Sequence, residues 1–408
     1  MKPLDLSTSA ALGGPAWLIA SRAAAANAFS NAAMPDPQLE QWRYVDLEFD
    51  IADYHLADAP GDARYEAEAG HTAGRALIVD GFIRDIDGFS RLSELSAAPS
   101  SPDIDTAADV FAIAHSAFLD DGVVLHLERG QTESDTYLVE VVATRDGTVS
   151  FPSFTVVAEQ SSESSILVFC RSNDDVDAIV IPRITIDAGP AANVNVTIVQ
   201  EWGDATRALA QLHTSIERDA RVHLGEVGLG GVYSRLFFTV DLEGSGAHSE
   251  ITGLYFGDED QTLDNRATIN HQAPRTTSNM FLKGAVEGSA HSVFTGMIRI
   301  EEEAQQTNAH QTNRNLVLSR DASAESVPNL EILANDVACG HASTVGPLDE
   351  EQRYYLTSRG LDRDRADRLQ VRGFFEEAIG RLPNQAVAPG IRKIVATKYA
   401  EAQAAGRA

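Results

Sequence analysis

The chain has 408 residues, with 32 Lys and Arg against 60 Asp and Glu, which gives a formal net charge of −28 at pH 7. This length predicts two or three structural units and excludes a small scaffold held together by disulfides. The excess of negative charge makes nucleic acid and anionic membranes poor partners.

The two cysteines, Cys170 and Cys339, fit a reducing cytoplasm in which thiols remain free. Two thiols are too few to ligate an iron–sulfur cluster alone, so any metal site must borrow ligands. The Ala-rich stretch 16–33 lacks the basic start and unbroken apolar core of an export signal. Because no run of about 18 apolar residues occurs, we expect a soluble, cytoplasmic protein without a membrane-spanning helix.

The sequence pattern of residues 1–120 predicts an N-terminal α/β unit. Residues 76–79 and 82–83 have the composition of two strands, and Asp80-Gly81 between them is typical of a tight turn that needs positive φ. A linker rich in Pro and Ser follows at 97–102.

A helix is predicted after this linker. Thr106 can cap it, with Asp109 three residues further on. Apolar residues then recur at helical spacing and predict a buried face, which ends before Gly122 and consists of Val110, Phe111, Ala114, Ala117 and Phe118.

Residues 121–346 predict the core of the protein, because short β-type runs follow one another there without an amphipathic helix. The runs lie at 137–142, 154–157, 166–169, 179–186, 194–199, 235–240, 251–256, 293–300 and 315–318. Two architectures remain open, a doubled antiparallel sandwich and a solenoid of stacked coils. Few hairpin signals and runs that are apolar on both faces, such as Ile179-Val180-Ile181, favour the solenoid.

Residues 347–408 predict a C-terminal helical unit with its own charge balance. The segment holds 11 basic and 9 acidic side chains, a net charge of +2, which leaves −30 for the rest of the chain. One helix begins at Asp349-Glu350-Glu351 and ends at Gly360. A second extends to Pro383 with Ala366, Leu369, Phe374 and Ala378 along one side, and a third is expected at about 391–400.

Local catalytic motifs do not occur in this sequence. There is no phosphate-binding loop, no dinucleotide-binding glycine pattern, no C-x-x-C, no H-E-x-x-H and no G-x-S-x-G. The carboxylate groups Asp174-Asp175 and Asp258-Glu259-Asp260 could supply acid and base for polysaccharide chemistry on a β-solenoid. Adjacent acids also arise by chance among 60 acidic residues, and solvated surface charge is the simpler interpretation.

Cys339-Gly340-His341 follows a strand-like segment at 330–333. In an extended chain Cys339 and His341 point to the same side, with Cα atoms roughly 6.6 Å apart. A thiolate and an imidazole suit iron or zinc, but such sites generally need four ligands. The pair is therefore half of a metal site, or a structural thiol beside an unrelated histidine.

Several longer segments resemble the SufB/SufD family, whose members are subunits of the SufBCD iron–sulfur cluster assembly complex. The resemblance is strongest from about residue 270 to 381, and the Cys-x-His segment has the SufD form. The segments are His271-x-Ala273-Pro274-x-Thr276-x-Ser278, Lys283-Gly284, Val293-Phe294-x-Gly296, Ala309-x-Gln311-x-Asn313-x-Asn315-Leu316, Pro328-Asn329-Leu330-Glu331-Ile332, Asn335-Asp336-Val337, Cys339-x-His341, Thr344-Val345-Gly346, Leu348-Asp349-Glu350-Glu351-Gln352 and Tyr355-Leu356-x-Ser358-Arg359-Gly360.

The resemblance implies a mainly β fold, a right-handed parallel β-helix with an N-terminal α/β unit and a C-terminal helical unit. It implies pairing with a SufB-like paralogue and docking of a SufC-like ATPase to the C-terminal unit, which would explain why this chain has no ATP site. The isolated chain is a possible homodimer, and the sequence leaves flavin binding open.

By the same resemblance, His341, with Cys339 as the second candidate, holds a transient iron–sulfur cluster at the SufB interface. The candidates for contact with the ATPase are Asp349, Glu350, Tyr355, Arg359 and Gly360. Asn335, Gly340, Ala342-Ser343 and Arg353-Tyr354 depart from the family pattern. The expected function is that of a non-catalytic scaffold subunit, and the alternatives are a β-helix enzyme acting on polysaccharide and a purely structural binding module.

Overall fold

The computed structural model describes residues 1–67, 71–87, 91–97 and 109–404. Almost all of the predicted linker at 97–102 and the predicted cap Thr106 lie outside these residues. The described part contains six α-helices, which are α1 (Leu6–Ala11), α2 (Ala16–Phe29), α3 (Val110–Phe118), α4 (Glu350–Ser358), α5 (Arg363–Ile379) and α6 (Ala388–Ala404). None of the described helices is long and apolar enough to cross a membrane.

Strands dominate the middle of the chain, as predicted. They are β1 (Thr72–Val79), β2 (Phe82–Asp87), β3 (Leu92–Glu94), β4 (Val123–Leu127), β5 (Thr132–Ala143), β6 (Thr148–Ser150), β7 (Ser153–Ala158), β8 (Glu163–Ser172), β9 (Ala178–Val180), β10 (Arg183–Ala188), β11 (Asn193–Glu201), β12 (Arg207–Ile216), β13 (Arg221–Gly228), β14 (Tyr233–Leu242), β15 (His248–Gly257), β16 (Thr262–His271), β17 (Thr277–Val286), β18 (His291–Ile300), β19 (Thr307–Val317), β20 (Ser323–Ile332) and β21 (Val337–Gly346).

These strands form a parallel β-solenoid, which decides between the two predicted architectures. A first sheet stacks β5, β8, β11, β13, β15, β17, β19 and β21, and a second stacks β4, β7, β10, β12, β14, β16, β18 and β20. The described residues therefore build eight coils, each with one strand in each sheet. The pairing of Thr262 with His291, 29 residues later, shows the length of one coil.

Side chains alternate between the two faces of each strand, and this explains why the run at 178–181 is apolar on both faces. Ala178 and Val180 face the internal core of the solenoid, whereas Ile179 and Ile181 contact the N-terminal unit. On that side, the Phe118 ring of α3 stacks on Phe151 with 5.9 Å between centroids. The second sheet is thus buried on both faces where the N-terminal helices cover it.

The N-terminal unit adds strands to the solenoid. β1 runs parallel to β5 and antiparallel to β2, and the turn between β1 and β2 has positive φ at Asp80 and Gly81, as predicted. The α3 helix begins at Val110, and its cap is Asp109, whose carboxylate accepts from the backbone N–H groups of Phe111 and Ala112.

The C-terminal helices cover the outer face of the first sheet. The Phe375 ring of α5 stacks on Phe256 with 5.9 Å between centroids, and Pro383 lies against Gly225. Of the residues predicted to share one side of α5, Ala366 and Ala378 are buried and Leu369 is 47% exposed. The helix also buries Val371 and Phe375, because these side chains face the sheet and α6.

The two ends of the solenoid differ. At the first end both sheets finish in antiparallel pairs, β1 with β2 and β3 with β4. At the last end, β20 and β21 pair only with the preceding coil within the described residues. The hydrogen-bonding edges of the last coil are therefore open, and open edges are the usual sites of strand addition.

Candidate functional site

His341 lies in the open last coil, on its inward side. The register of β19 and β21 places it next to Gln311, and the same row continues into the buried core at Met280 and Ile251. His341 is exposed although it faces inward, because no further coil covers it within the described chain. The imidazole therefore lies at the mouth of the solenoid, which is the open end formed by β20 and β21.

Cys339 lies two residues earlier on the same side of β21. It is half-buried and contacts the internal core, and its neighbour in the row below is the fully buried Ala309. Burial raises the pKa of the Cys339 thiol, and a hydrogen bond from the Gly340 backbone opposes this shift. The thiol is thus held mainly in its protonated form until a cation or a metal approaches.

The two residues do not complete a metal site by themselves. No group of three or more His, Cys, Asp and Glu that could hold a metal ion occurs among the described residues. The structure brings the predicted pair to one side of an open strand, where it forms at most half of a four-ligand metal site within the described chain.

Two segments of the family resemblance, 293–296 and 309–316, contribute side-chain contacts beneath the mouth. The Gln311 side chain crosses the interior and donates from Nε2 to the Asn329 carbonyl of β20 at 3.2 Å. A Cβ on residue 296 would lie 2.3 Å from the Gln311 Oε1 atom, so Gly296 leaves the room that this crossing needs. Gln311 therefore ties the last coil to the one below it.

A hydrogen-bond network continues from the interior to the mouth. The Tyr255 hydroxyl donates to Asn315 Oδ1 at 2.6 Å, and Asn313 Nδ2 donates back to Tyr255 at 3.1 Å. Ser326 donates to Asn313 at 2.8 Å, and Ser343, which is exposed, donates to Ser326 at 2.7 Å. The resemblance contains Asn313 and Asn315, but the sequence alone does not show that their side chains share the interior.

Lys283, which also belongs to the family resemblance, contacts α5 on the outer face of the first sheet. Its ammonium group donates to the Phe374 carbonyl at 2.8 Å and pairs with Glu377 at 2.7 Å. The side chain is buried, and burial lowers its pKa although Glu377 acts in the opposite direction. Lys283 thus fixes α5 to the solenoid.

The predicted partner-contacting residues lie on α4 or at its two ends, and three of them have clear local roles. Asp349 caps the helix by accepting from the Glu351 and Gln352 backbones at 2.8 and 3.1 Å. Gly360 follows the end of the helix with a φ of 93°, a backbone conformation that glycine tolerates best. Glu350 pairs with Arg353 on the same helix.

Tyr355 and Arg359 are the exposed members of this group. Tyr355 is 57% exposed, and the Arg359 guanidinium lies 5.3 Å from its ring centroid. Tyr354, which the sequence flagged only as a departure from the family pattern, is 76% exposed. Beside these residues, a cleft of about 720 Å³ between α4, α5 and β19 includes Leu356 and the exposed Leu369.

The paired carboxylates proposed as acid and base lie at corners of the solenoid. Asp258 pairs with Lys398 of α6 and so anchors the C-terminal unit. Together with Asp174, it helps to raise the pKa of Asp204, although burial is the larger cause. These contacts give Asp258 a structural role.

The sequence of this chain is similar to those of known proteins. The family described as SUF system FeS cluster assembly, SufBD core domain, matches residues 141–374, more than half of the chain. An iron–sulfur cluster assembly SufBD family protein of Mycobacterium tuberculosis is 36% identical over 267 residues, which cover 61% of this chain and 65% of that protein.

Two relatives with lower sequence identity also match this chain. The iron–sulfur cluster assembly protein SufD of Bacillus subtilis is 28% identical over 289 residues, 70% of this chain and 65% of that protein. Protein ABCI7, chloroplastic, of Arabidopsis thaliana is 30% identical over 241 residues, 59% of this chain and 51% of that protein. The chain thus matches just under two thirds of the length of these two bacterial relatives. It is a parallel β-solenoid protein, and it belongs to the SufBD family of iron–sulfur cluster assembly proteins.

Proposed function

We propose that this chain is a SufD-type, non-catalytic scaffold subunit of a SufBCD-type complex. It pairs with a SufB-like paralogue through the open end of the solenoid and docks a SufC-like ATPase on α4. At the first of these interfaces His341, with Cys339 beside it, holds a nascent iron–sulfur cluster together with ligands from the paralogue. The single observation that carries the proposal is the half-site on the inward side of an uncovered last strand.

The asymmetry of the two ends supports pairing at the last coil. Antiparallel strands terminate both sheets at the first end, whereas one edge of β20 and one edge of β21 have no partner strand in the described part of the chain. Ile332, Leu333 and Val345 are exposed at this end, so a partner that extends the sheets would also cover apolar surface.

The chemistry of the pair supports cluster binding. A neutral imidazole and a thiolate are ligands that iron accepts, and a partner that excludes water would supply the remaining ligands. Because the Cys339 thiol has a raised pKa, His341 is the first candidate and Cys339 the second.

The α4 surface supports ATPase docking. Tyr354 and Tyr355 are exposed next to an open cleft, and tyrosines are enriched among the residues that dominate binding energy at interfaces. Asp349 and Gly360 then contribute by fixing the start and end of the helix that presents them.

Replacement of His341 by Ala tests the cluster site. We expect His341→Ala to retain both partners while iron and sulfide in the anaerobically purified complex fall to background. The matched control is His310→Ala, since His310 is also exposed and lies on the neighbouring strand, on the outer side of the sheet beside Gly340. A normal cluster content in His341→Ala would contradict the ligand role and favour a purely structural binding module.

Replacement of Tyr354 tests the docking surface separately. We expect Tyr354→Ala to lower the recovery of the ATPase at least about tenfold while the paralogue remains bound. Tyr354→Phe, which keeps the ring, should restore most of the recovery. Equal ATPase recovery with the wild type and Tyr354→Ala chains would refute docking through this residue.

A further inference from the structure

A second cleft, between α5 and α6, lies apart from the α4 surface. It encloses about 300 Å³. Buried side chains form its floor, including Val371 and Phe375 from α5 and Val395 and Tyr399 from α6. This volume admits one or two large side chains, or a small ligand of similar size.

The rim of the cleft is strongly basic. Arg368, Arg372, Arg392 and Lys393 surround the floor, and Glu376 is the one carboxylate in the lining. Arg392 donates to both oxygens of Glu376, with Nη2 to Oε1 at 2.6 Å and Nε to Oε2 at 3.0 Å, so this carboxylate is already engaged. The net formal charge of the lining is therefore +3.

Two of the cations are available to a ligand. Arg372 and Lys393 are exposed, and neither forms an ion pair with another residue of the described ranges. A local excess of three positive charges stands out on a chain with a net charge of −28. The rest of the surface repels acidic molecules over long range, so the cleft is a local site of opposite sign.

We propose that the cleft between α5 and α6 binds an acidic segment of a partner protein, which inserts one or two apolar side chains between the basic residues. The apolar floor selects the anchor side chains, and Arg372 and Lys393 select flanking carboxylates. This site is additional to the paralogue and ATPase contacts proposed above and does not depend on them.

A labelled peptide tests the proposal on the full chain. The probe is a helix-forming peptide of Glu and Ala with Leu and Phe at i and i+4, and binding is followed by fluorescence anisotropy. We expect binding that weakens with salt and that falls at least about tenfold in Arg372→Glu/Lys393→Glu. The control Arg218→Glu/Arg221→Glu makes the same change in net charge outside the cleft, and it should leave binding unchanged.

Matched probes distinguish the alternatives. A peptide with Lys in place of Glu, and a peptide with Ala in place of Leu and Phe, should both bind much more weakly than the acidic probe. Equal binding of either peptide, or displacement of the probe by tripolyphosphate at low concentration, would overturn the proposal. Self-association of the wild type chain that disappears in Arg372→Glu/Lys393→Glu would assign the cleft to contacts between copies instead and would also overturn it.

Discussion

Glu226 gives the sharpest quantitative test of the solenoid interior. It lies on β13, it is 4% exposed, and its Oε2 atom has no hydrogen-bond partner in the described chain. A Cβ on residue 253 would lie 2.7 Å from this oxygen, so Gly253 leaves the space that the carboxyl group occupies. Burial raises the pKa of Glu226 to about 8 from an ordinary value of 4.5.

The raised pKa has a direct consequence for stability. Below about pH 4.5 the carboxyl group is protonated in both the folded and the unfolded chain, and it costs nothing electrostatically. Between pH 4.5 and 8 the unfolded chain releases the proton and the folded chain keeps it, so stability falls as pH rises. The difference of 3.5 between the two pKa values corresponds to at most about 5 kcal/mol above pH 8.

We expect Glu226→Gln to remove this pH-dependent loss of stability. The free energy of unfolding, from urea denaturation, should be similar for the wild type and the variant at pH 5, and the variant should be more stable at pH 8 by about 2–5 kcal/mol. Glu303→Gln, at an exposed corner, is the control. A stability difference between Glu226→Gln and the wild type that is the same at both pH values would refute the buried, proton-holding carboxyl group.

Two further predictions concern the contacts around the open end and the C-terminal unit. Lys283→Met should release the carbonyl of Phe374 and its ion pair, so limited proteolysis should remove the C-terminal helices faster while the solenoid stays resistant; equal cleavage rates would contradict this anchor. Gly284→Ala would place a Cβ 2.0 Å from the Tyr255 ring, and we expect a loss of about 1–3 kcal/mol in urea denaturation. Gly346→Ala is its control, because nothing lies within 4 Å of that position, and equal losses in the two variants would argue against the crowded interior.

The sequence predicts the fold in outline because the relevant signals are local. Runs such as Ile179-Val180-Ile181 predict strands buried on both faces, and both faces are indeed covered. Asp349 and Gly360 mark the first C-terminal helix through cap chemistry, which depends on neighbouring residues alone. Elements of this kind can be assigned before any long-range contact is known.

The corners of the coils could not be predicted in the same way. Several lie in the left-handed region at residues other than glycine, including Ala191 with a φ of 60° and Arg275 with 59°. The stacked coils impose this conformation, so the residue type does not reveal it. For the same reason the spacing predicts that Ala366, Leu369 and Ala378 share one side of α5, but it does not show that Leu369 alone of these three is exposed.

The candidate site was predicted in part. The shared side of Cys339 and His341 follows from strand alternation alone, and the structure agrees. The support beneath them was not predictable, because Gln311 reaches Asn329 across the interior, and that contact depends on the register of two sheets. The sequence does not single out Tyr354 as a candidate contact residue, because its exposure depends on how α4 packs.

The central claim is that the open last coil joins a paralogue and holds a cluster with His341. The most direct measurement is anaerobic affinity purification of the tagged chain from its own cells, with mass spectrometry of bound proteins and assays of iron and sulfide. The account predicts recovery with a SufB-like chain and a P-loop ATPase, with iron and sulfide present and lost in His341→Ala. A chain that emerges alone and free of iron under gentle conditions would contradict the account and reopen the possibility of a β-solenoid enzyme.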